Sequence, residues 1–329
     1  MKAVVYTRYG PPEVLRVEDV TRPVPGEKEV LVRVHATAVS SGECTMRSQR
    51  GIPAVFYLPA RLMFGVFRPR NTRPGSEFAG VVESVGSAVE TFKPGERVFG
   101  STSMKAKAHA EYLCLAEDDA VTTTPIGLSH AEAAAIPFGA FAALGFLRLG
   151  GIEERRGQNV MVIGAAGAVG SAAVQLARHF GARVTGVCST SKVELVKTLG
   201  AERVIDYTKE DIAAADSRYD IVFDTVGKTR YAQVKPVMAE RGRYVNAGFG
   251  LRKLLQMAWT SWFSQRKVIC SVTGESAEDL KLLKALVEDG LIRAVIDRRF
   301  TLDQIVEAHR YVDAGHKSGS VVVTMPVEA

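Results

Sequence analysis

A chain of 329 residues is longer than one hydrophobic core usually organises, so length alone predicts about two domains. Apolar residues make up 47% and charged residues 24%, which is enough to fill a core and excludes a small disulfide scaffold or a wholly disordered chain. The 42 Lys and Arg against 36 Asp and Glu leave +6, without a basic stripe or aromatic RNA-binding signature, so no nucleic-acid partner is expected.

The opening MKAVVYTRYGPPEVL runs straight into an alternating strand and lacks the apolar run of a signal peptide. Short alternating segments follow at Lys2–Tyr6, Val14–Val20, Glu29–Ala38, Phe78–Gly86, Arg97–Gly100 and Ala110–Leu115, punctuated by Gly and Pro. They predict an all-β, barrel-like unit. Region 42–76 interrupts it with little periodicity and many Pro, Arg and aromatic residues, the texture of a functional lid or a poorly ordered loop. Its apolar stretch Ile52–Phe67 is broken by Pro53, Pro59 and Arg61 and is short for a bilayer span, so no transmembrane segment is predicted.

From Ile126 helices alternate with apolar strands, the signature of a parallel sheet covered on both faces. Ser129 and Glu132 form a capping box for an Ala-rich helix that Pro137 interrupts. Strands are expected at Asn159–Ile163, Arg183–Cys188, Arg203–Ile205, Asp220–Asp224, Arg243–Asn246 and Val268–Val272. A helix at about 277–289 follows, then a second capping box, Thr301 with Gln304, and a last apolar strand, Ser320–Met325, that needs a sheet to join. The four cysteines stand singly, without a C-x-x-C pair, which fits reduced thiols in a cytosolic protein.

Gly164-Ala165-Ala166-Gly167-Ala168-Val169-Gly170 lies between a strand and a helix, the context that makes a glycine pattern a dinucleotide site. The glycines permit a tight turn and close approach to a pyrophosphate, and the helix offers it unpaired N–H groups. At the end of the next strand, Cys188-Ser189-Thr190-Ser191-Lys192 carries hydroxyls and a cation where a ribose-binding carboxylate would select NAD. This favours NADPH, with Tyr207 as a further hydroxyl; the alternative is that Ser189 and Ser191 only cap the following helix.

On these residues the chain resembles the medium-chain dehydrogenase/reductase superfamily, and PGSEFAGVVESVGSAVETFKPGERVFG (74–100) is similar to its G-x-E-x-A-G-x-V signature. The resemblance implies a GroES-like catalytic β-barrel over 1–125, completed by 297–329, and a Rossmann NADP-binding domain of doubly wound parallel sheet over 126–296. Within the superfamily the chain looks like the zinc-independent quinone oxidoreductases. Ser40 and Ser76 stand where the zinc enzymes have Cys and His, 131–148 has neither residue, and Cys114 is alone where four structural cysteines would lie. No metal is expected.

The resemblance further implies that Ser40, Glu43 and Arg47 match the quinone reductases' Asn, Asp and Arg, while Thr45 replaces their Tyr. Arg47 either orients the acceptor oxygen or pairs with Glu43 to shape the loop. Tyr57 is a candidate donor or a packed lid aromatic. Val226-Gly227 and Asn246-Ala247-Gly248 are placed beside the nicotinamide, and Lys317 in a segment closing over the cofactor. Two aromatic-rich stretches, 52–67 and Leu251–Phe263, read as loops that form core or line an apolar entrance.

His109 and His130 read as lone structural histidines, and Cys44 as a quiet buried thiol. The expected activity is hydride transfer from NADPH to a small-molecule quinone or α,β-unsaturated carbonyl, in a cytoplasmic homodimer joined near Val268–Val272. Two alternatives stay open: an alcohol dehydrogenase using other zinc ligands, and an NADPH-binding redox sensor or structural protein with little turnover.

Overall fold

The computed structural model describes residues 1–50, 52, 54–214, 217–248 and 250–326. Pro53 in the apolar stretch and residues 327–329 of the expected C-terminal completion lie outside the described residues. Backbone contacts divide the chain into one unit of residues 1–138 with 275–329 and another of 139–274. These breaks replace the expected 125/126 and 296/297, because helices on both sides of the insertion pack on strands of the first unit.

The first stretch of the chain contains β1 (Lys2–Val5), β2 (Arg16–Asp19), β3 (Glu29–Val39), α1 (Ser41–Ser48), α2 (Ala54–Phe64), β4 (Glu77–Val85), β5 (Arg97–Ser101), β6 (Tyr112–Ala116), β7 (Val121–Thr123) and α3 (His130–Ala134). Region 42–76 therefore contains two helices, α1 and α2, which corrects the loop expectation for those segments. In β3 the alternation sends Val30, Val32 and Val34 into the core with Phe78, Val98 and Leu113. One edge of β3 pairs with β4, while its other edge is divided between β6 at residues 29–33 and the C-terminal strand at residues 36–39. Register shifts at Leu31/Val32 and Val34/Ala36 give β3 the local bends that let it serve three partners.

The middle stretch holds α4 (Pro137–Leu149), β8 (Asn159–Ile163), α5 (Ala168–His179), β9 (Arg183–Cys188), α6 (Val193–Thr198), β10 (Arg203–Asp206), β11 (Tyr219–Asp224), α7 (Tyr231–Val234), β12 (Met238–Asn246), α8 (Leu251–Phe263) and β13 (Lys267–Cys270). Its strands pair in the order β10-β9-β8-β11-β12-β13, and every pairing is parallel. This is the doubly wound order, with its switch point between β8 and β11. Val160, Met161 and Val162 are all at 0% exposure, as an unbroken apolar run in a sheet covered on both faces requires. Each such side chain contributes roughly 1.5–3 kcal/mol of burial. The segment His130–Leu149 has the length and apolarity of a membrane span, but it is two helices broken before Pro137 and is 67% buried in protein.

The last stretch returns to the first unit with α9 (Ala277–Glu288), β14 (Ile296–Thr301), α10 (Ile305–Asp313) and β15 (Ser320–Thr324). The strand that needed a sheet finds one: β15 runs antiparallel to β3 and parallel to β14. Both capping boxes form, at Ser129/Glu132 and Thr301/Gln304.

Glu77 opens β4 with its side chain fully buried. Its Oε1 accepts from the Ser76 hydroxyl at 2.8 Å, while Oε2 has no hydrogen-bond partner among the described residues. Burial pushes the carboxyl up to about 8 from 4.5; the nearby Glu43 and Glu275 charges add to this and the Ser76 hydrogen bond partly offsets it. Between those values the folded protein holds a proton that the unfolded chain has released. Stability therefore falls as pH rises through this window, by at most about 1.4 kcal/mol per pH unit. Glu77→Gln, neutral throughout, should remove that component, so its Tm relative to wild type should climb between pH 5 and 8; a difference independent of pH would contradict the assignment.

Candidate functional site

The parallel sheet delivers the carboxyl ends of its strands to one edge, where the turn after β8 leads into α5. Gly164 has φ +79°, and a Cβ there would lie 2.5 Å from Val226 Cγ2. Its N–H and that of Ala165 both donate to the Val187 carbonyl, at 3.0 and 3.1 Å, which pins the turn to β9. At Gly170 a Cβ would lie 2.1 Å from the Gly164 carbonyl oxygen, so glycine is what lets α5 start against the strand. Gly167, the N-cap of α5, has only that same oxygen nearby, at 3.5 Å. The amides of Ala168, Val169 and Gly170 have no carbonyl within their own helix to bond, so the N-terminus of α5 meets the requirements of a diphosphate cradle.

After β9, Ser189 precedes a short turn of 3-10 helix at Thr190–Lys192 and makes no capping hydrogen bond with its side chain. The reading in which it merely caps is therefore corrected for Ser189. Thr190 is committed elsewhere: its hydroxyl donates to Asp206 at the end of β10, as does that of Thr208 at 2.6 Å. These two hydroxyls hold the Asp206 carboxyl down at about 2. Tyr207 follows it and is 58% exposed.

The turns after β11 and β12 are built by one buried carboxylate. Asp224, at 0% exposure, accepts from the amides of Val226, Gly227 and Thr229 and from the side chains of Tyr244 and Asn246, at 2.8–3.1 Å. Burial and the Asp224 charge push the Tyr244 phenol far up, so it stays protonated, donating to Asp224 while accepting from Asn246 Nδ2 at 2.7 Å. Lys253 Nζ donates to the Gly227 carbonyl at 2.6 Å and to Asn246 Oδ1 at 2.7 Å, tying the two turns together. A Cβ at Gly227 would lie 3.0 Å from the Gly248 Cα, so the two turns are in contact. Sequence reasoning missed Asp206, Asp224 and Lys253, although a carboxylate ending each of two apolar strands was the available signal.

The predicted cofactor residues Gly164, Ala165, Gly167, Ala168, Val169, Gly170, Ser189, Ser191, Lys192, Tyr207, Val226, Gly227, Asn246 and Gly248 are thus gathered at the carboxyl ends of β8 to β12. Lys317 belongs to the other unit, where its amine donates to the Gly319 carbonyl at 2.7 Å.

In the first unit Ser40, Glu43 and Arg47 are brought together by α1. Ser40 is its N-cap, accepting from the Glu43 amide at 3.1 Å. Glu43 does not pair with Arg47. Its Oε1 lies 2.9 Å from His109 Nε2 and 3.4 Å from His309 Nε2, with both rings fully buried. Burial alone would raise the Glu43 carboxyl; the two imidazoles outweigh it where they carry positive charge and then hold the group below the usual carboxylate range. Arg47, 1% exposed, instead donates to the Gly10 carbonyl at 2.8 Å and pairs with Asp313 of α10. This corrects both expectations for Arg47: it fastens α1 to α10 and the Gly10 turn from inside the core.

His109 is not a lone histidine, and His130 stacks on His35 with ring centroids 4.5 Å apart. Burial and the facing His35 push His130 down to about 4, so that ring is neutral. Cys44 is buried with its thiol raised well above the ordinary range, the quiet cysteine expected. Tyr57 lies on helix α2 rather than in an irregular lid, and its hydroxyl accepts from Arg61 Nη2 at 3.0 Å.

Residues 26–147 match the pattern described as the alcohol dehydrogenase GroES-like domain, and 199–323 that of the zinc-binding dehydrogenases. The chain is 34% identical to the 2-methylene-furan-3-one reductase of Solanum lycopersicum, covering 98% of this chain and 79% of the relative. It belongs to the medium-chain dehydrogenase/reductase family, in the quinone-oxidoreductase-like branch. A chloroplastic NADPH-dependent alkenal/one oxidoreductase of Arabidopsis thaliana is also 34% identical, over 98% of this chain and 79% of its own. The solved quinone oxidoreductase from Coxiella burnetii superposes with a TM-score of 0.86 at 27% identity, covering 99% of each chain.

The zinc of other medium-chain dehydrogenases does not fit the corresponding residues of this member. The Ser40 hydroxyl is a helix cap, and that of Ser76 is spent on Glu77, so neither position offers a ligating thiolate or imidazole. Because the Arg47 charge is buried, Asp313→Ala should leave it with the Gly10 carbonyl as its remaining named acceptor. A urea melt should show a loss of about 1–3 kcal/mol, below a fully buried pair because Asp313 is partly in water.

Proposed function

We propose that this chain is an NADPH-dependent reductase that delivers hydride to a quinone or an α,β-unsaturated carbonyl. The observation that carries the reading is the bend at 164–170, where α5 begins with an open glycine N-cap at the carboxyl edge of a doubly wound sheet. The names of the tomato, Arabidopsis and Coxiella relatives support it. The bound nicotinamide supplies the hydride.

The chain's own residues bind and orient. Amides of the α5 first turn hold the diphosphate, and Ser189, Ser191 and Lys192 read the 2′-phosphate, with Tyr207 beside them. The paired turns at Val226-Gly227 and Asn246-Gly248, kept rigid by Asp224 and Lys253, hold the nicotinamide end. A conjugated acceptor spreads the incoming electron pair over its own π system, so hydrogen-bond donors suffice where an isolated ketone would call for a Lewis acid. Exposed apolar side chains on α2 (Leu58, Leu62, Met63) and on α8 (Leu255, Trp259, Trp262) support a lipophilic acceptor.

Stopped-flow NADPH oxidation over a panel of quinones and enones should show turnover with the hydrophobic members. Lys192→Ala should raise KM for NADPH roughly tenfold to a hundredfold and leave NADH unchanged, since only the former carries the 2′-phosphate. Tight NADPH binding without oxidation of any acceptor would favour the sensor alternative instead.

The reading extends to a homodimer in a reducing, cytosolic setting. It is supported by the position of β13 at the end of the parallel sheet, without a further strand partner among the described residues, and by four free cysteines. Sedimentation velocity at micromolar concentration should give a species of twice the chain mass; a monomer at every concentration would remove the dimer.

A further inference from the structure

Four buried polar atoms of the first unit converge without a hydrogen-bond partner among the described residues: both carboxylate oxygens of Glu43, His109 Nε2 and His309 Nε2. One ligand atom from each of the three residues lies within 4.8 Å of the others. Two separations, 2.9 and 3.4 Å from Glu43 Oε1 to the two nitrogens, are close to the roughly 3.3 Å between ligands held at 2.0–2.1 Å on a tetrahedral ion. The imidazole planes stand nearly perpendicular, at 89°, with centroids 6.1 Å apart, so the rings meet edge to face around this point.

The outer nitrogens determine what the inner ones carry. Thr37 Oγ1 donates its only hydrogen to the Glu77 carbonyl at 2.6 Å, so toward His109 Nδ1, 3.0 Å away, it can only accept. The proton of a neutral His109 is thereby on Nδ1, and Nε2 presents a lone pair to a carboxylate oxygen 2.9 Å away. Lone pair facing lone pair at that distance is repulsive in a dry interior unless a cation sits between them. The outer nitrogen of His309 also has a neighbour, Cys44 Sγ at 3.3 Å, with the direction of that contact set by the tautomer. Imidazoles whose second nitrogen is held by a neighbour are the arrangement of metal ligands. A proton on Nε2 would also relieve the repulsion, but the short approaches are misaligned for N–H donation to Glu43.

We propose that Glu43, His109 and His309 bind one divalent first-row transition cation, of which Zn²⁺ is the probe. Imidazole nitrogen with carboxylate oxygen suits that class. The ion would fasten α1, the loop before β6 and α10, segments far apart in sequence, and would be separate from the positions of Ser40 and Ser76.

The test is calorimetric titration of EDTA-treated full-length protein with Zn²⁺, alongside elemental analysis and the visible spectrum of the Co²⁺-substituted chain. One equivalent per chain and the intense visible bands of tetrahedral cobalt are expected. His109→Gln/His309→Gln should lose at least about 100-fold in affinity and Thr37→Val about 10- to 100-fold, while His179→Gln, away from the cluster, should match wild type. Failure of the wild-type chain to take up stoichiometric Zn²⁺ or Co²⁺ would overturn the proposal and leave a protonated imidazole as the intervening cation. Equal affinity in the double variant, or a sulfur-to-cobalt charge-transfer band from Cys44, would overturn the donor set. The wild-type titration decides the matter even if a variant fails to fold.

Discussion

The approach of α5 to the end of β8 is the constraint on which the second unit depends. With no side chain at Gly170, the helix begins against the Gly164 carbonyl, and the left-handed turn at Gly164 delivers the chain to it in the fewest residues. Any Cβ at position 170 would push the helix outward and spoil the alignment of its first amides with the strand edge. Gly167 differs in kind: it has room, so its lack of a side chain keeps space open above the amides. The two sorts of glycine in one bend divide the work between closing the backbone and admitting a charged group.

Asp224 carries the same strategy along the edge. A carboxylate sealed at the end of β11 collects amides from the following turn and side chains from β12, so the interior fixes the turns while their outward faces stay uncommitted. Lys253 neutralises part of that cluster without touching Asp224, through Asn246 and the Gly227 carbonyl. The strand-end turns are thus rigid through buried polar bonds that cost nothing in solvent exposure, since each buried acceptor found a donor.

What the residues announced in advance was local. The glycine bend, the capping boxes and the apolar runs of a parallel sheet each sit within one turn or strand, and each formed where spacing placed it. Helix α8 was missed because its apolar residues lie largely on the outward face: Leu251, Leu255, Trp259 and Trp262 follow helical spacing yet are more than half exposed. The stretch read as a loop, forming core or lining an apolar entrance, and the helical spacing went unread. Helix α2 hid behind Pro59, which ordinarily argues against a helix interior. The partners of Glu43 and Arg47 were illegible for a different reason. His309 and Asp313 lie on α10, more than 260 residues away, and only the return of the chain's end to β3 brings α10 against α1.

That return also explains how a member of this family keeps its first unit ordered with serine at positions 40 and 76. Metal ligation at those positions would bind α1 and the start of β4 to one ion; here each serine hydroxyl is consumed locally, one on the α1 amide and one on Glu77. The cross-links pass instead through side chains behind them, Glu43 to the two imidazoles and Arg47 to Asp313.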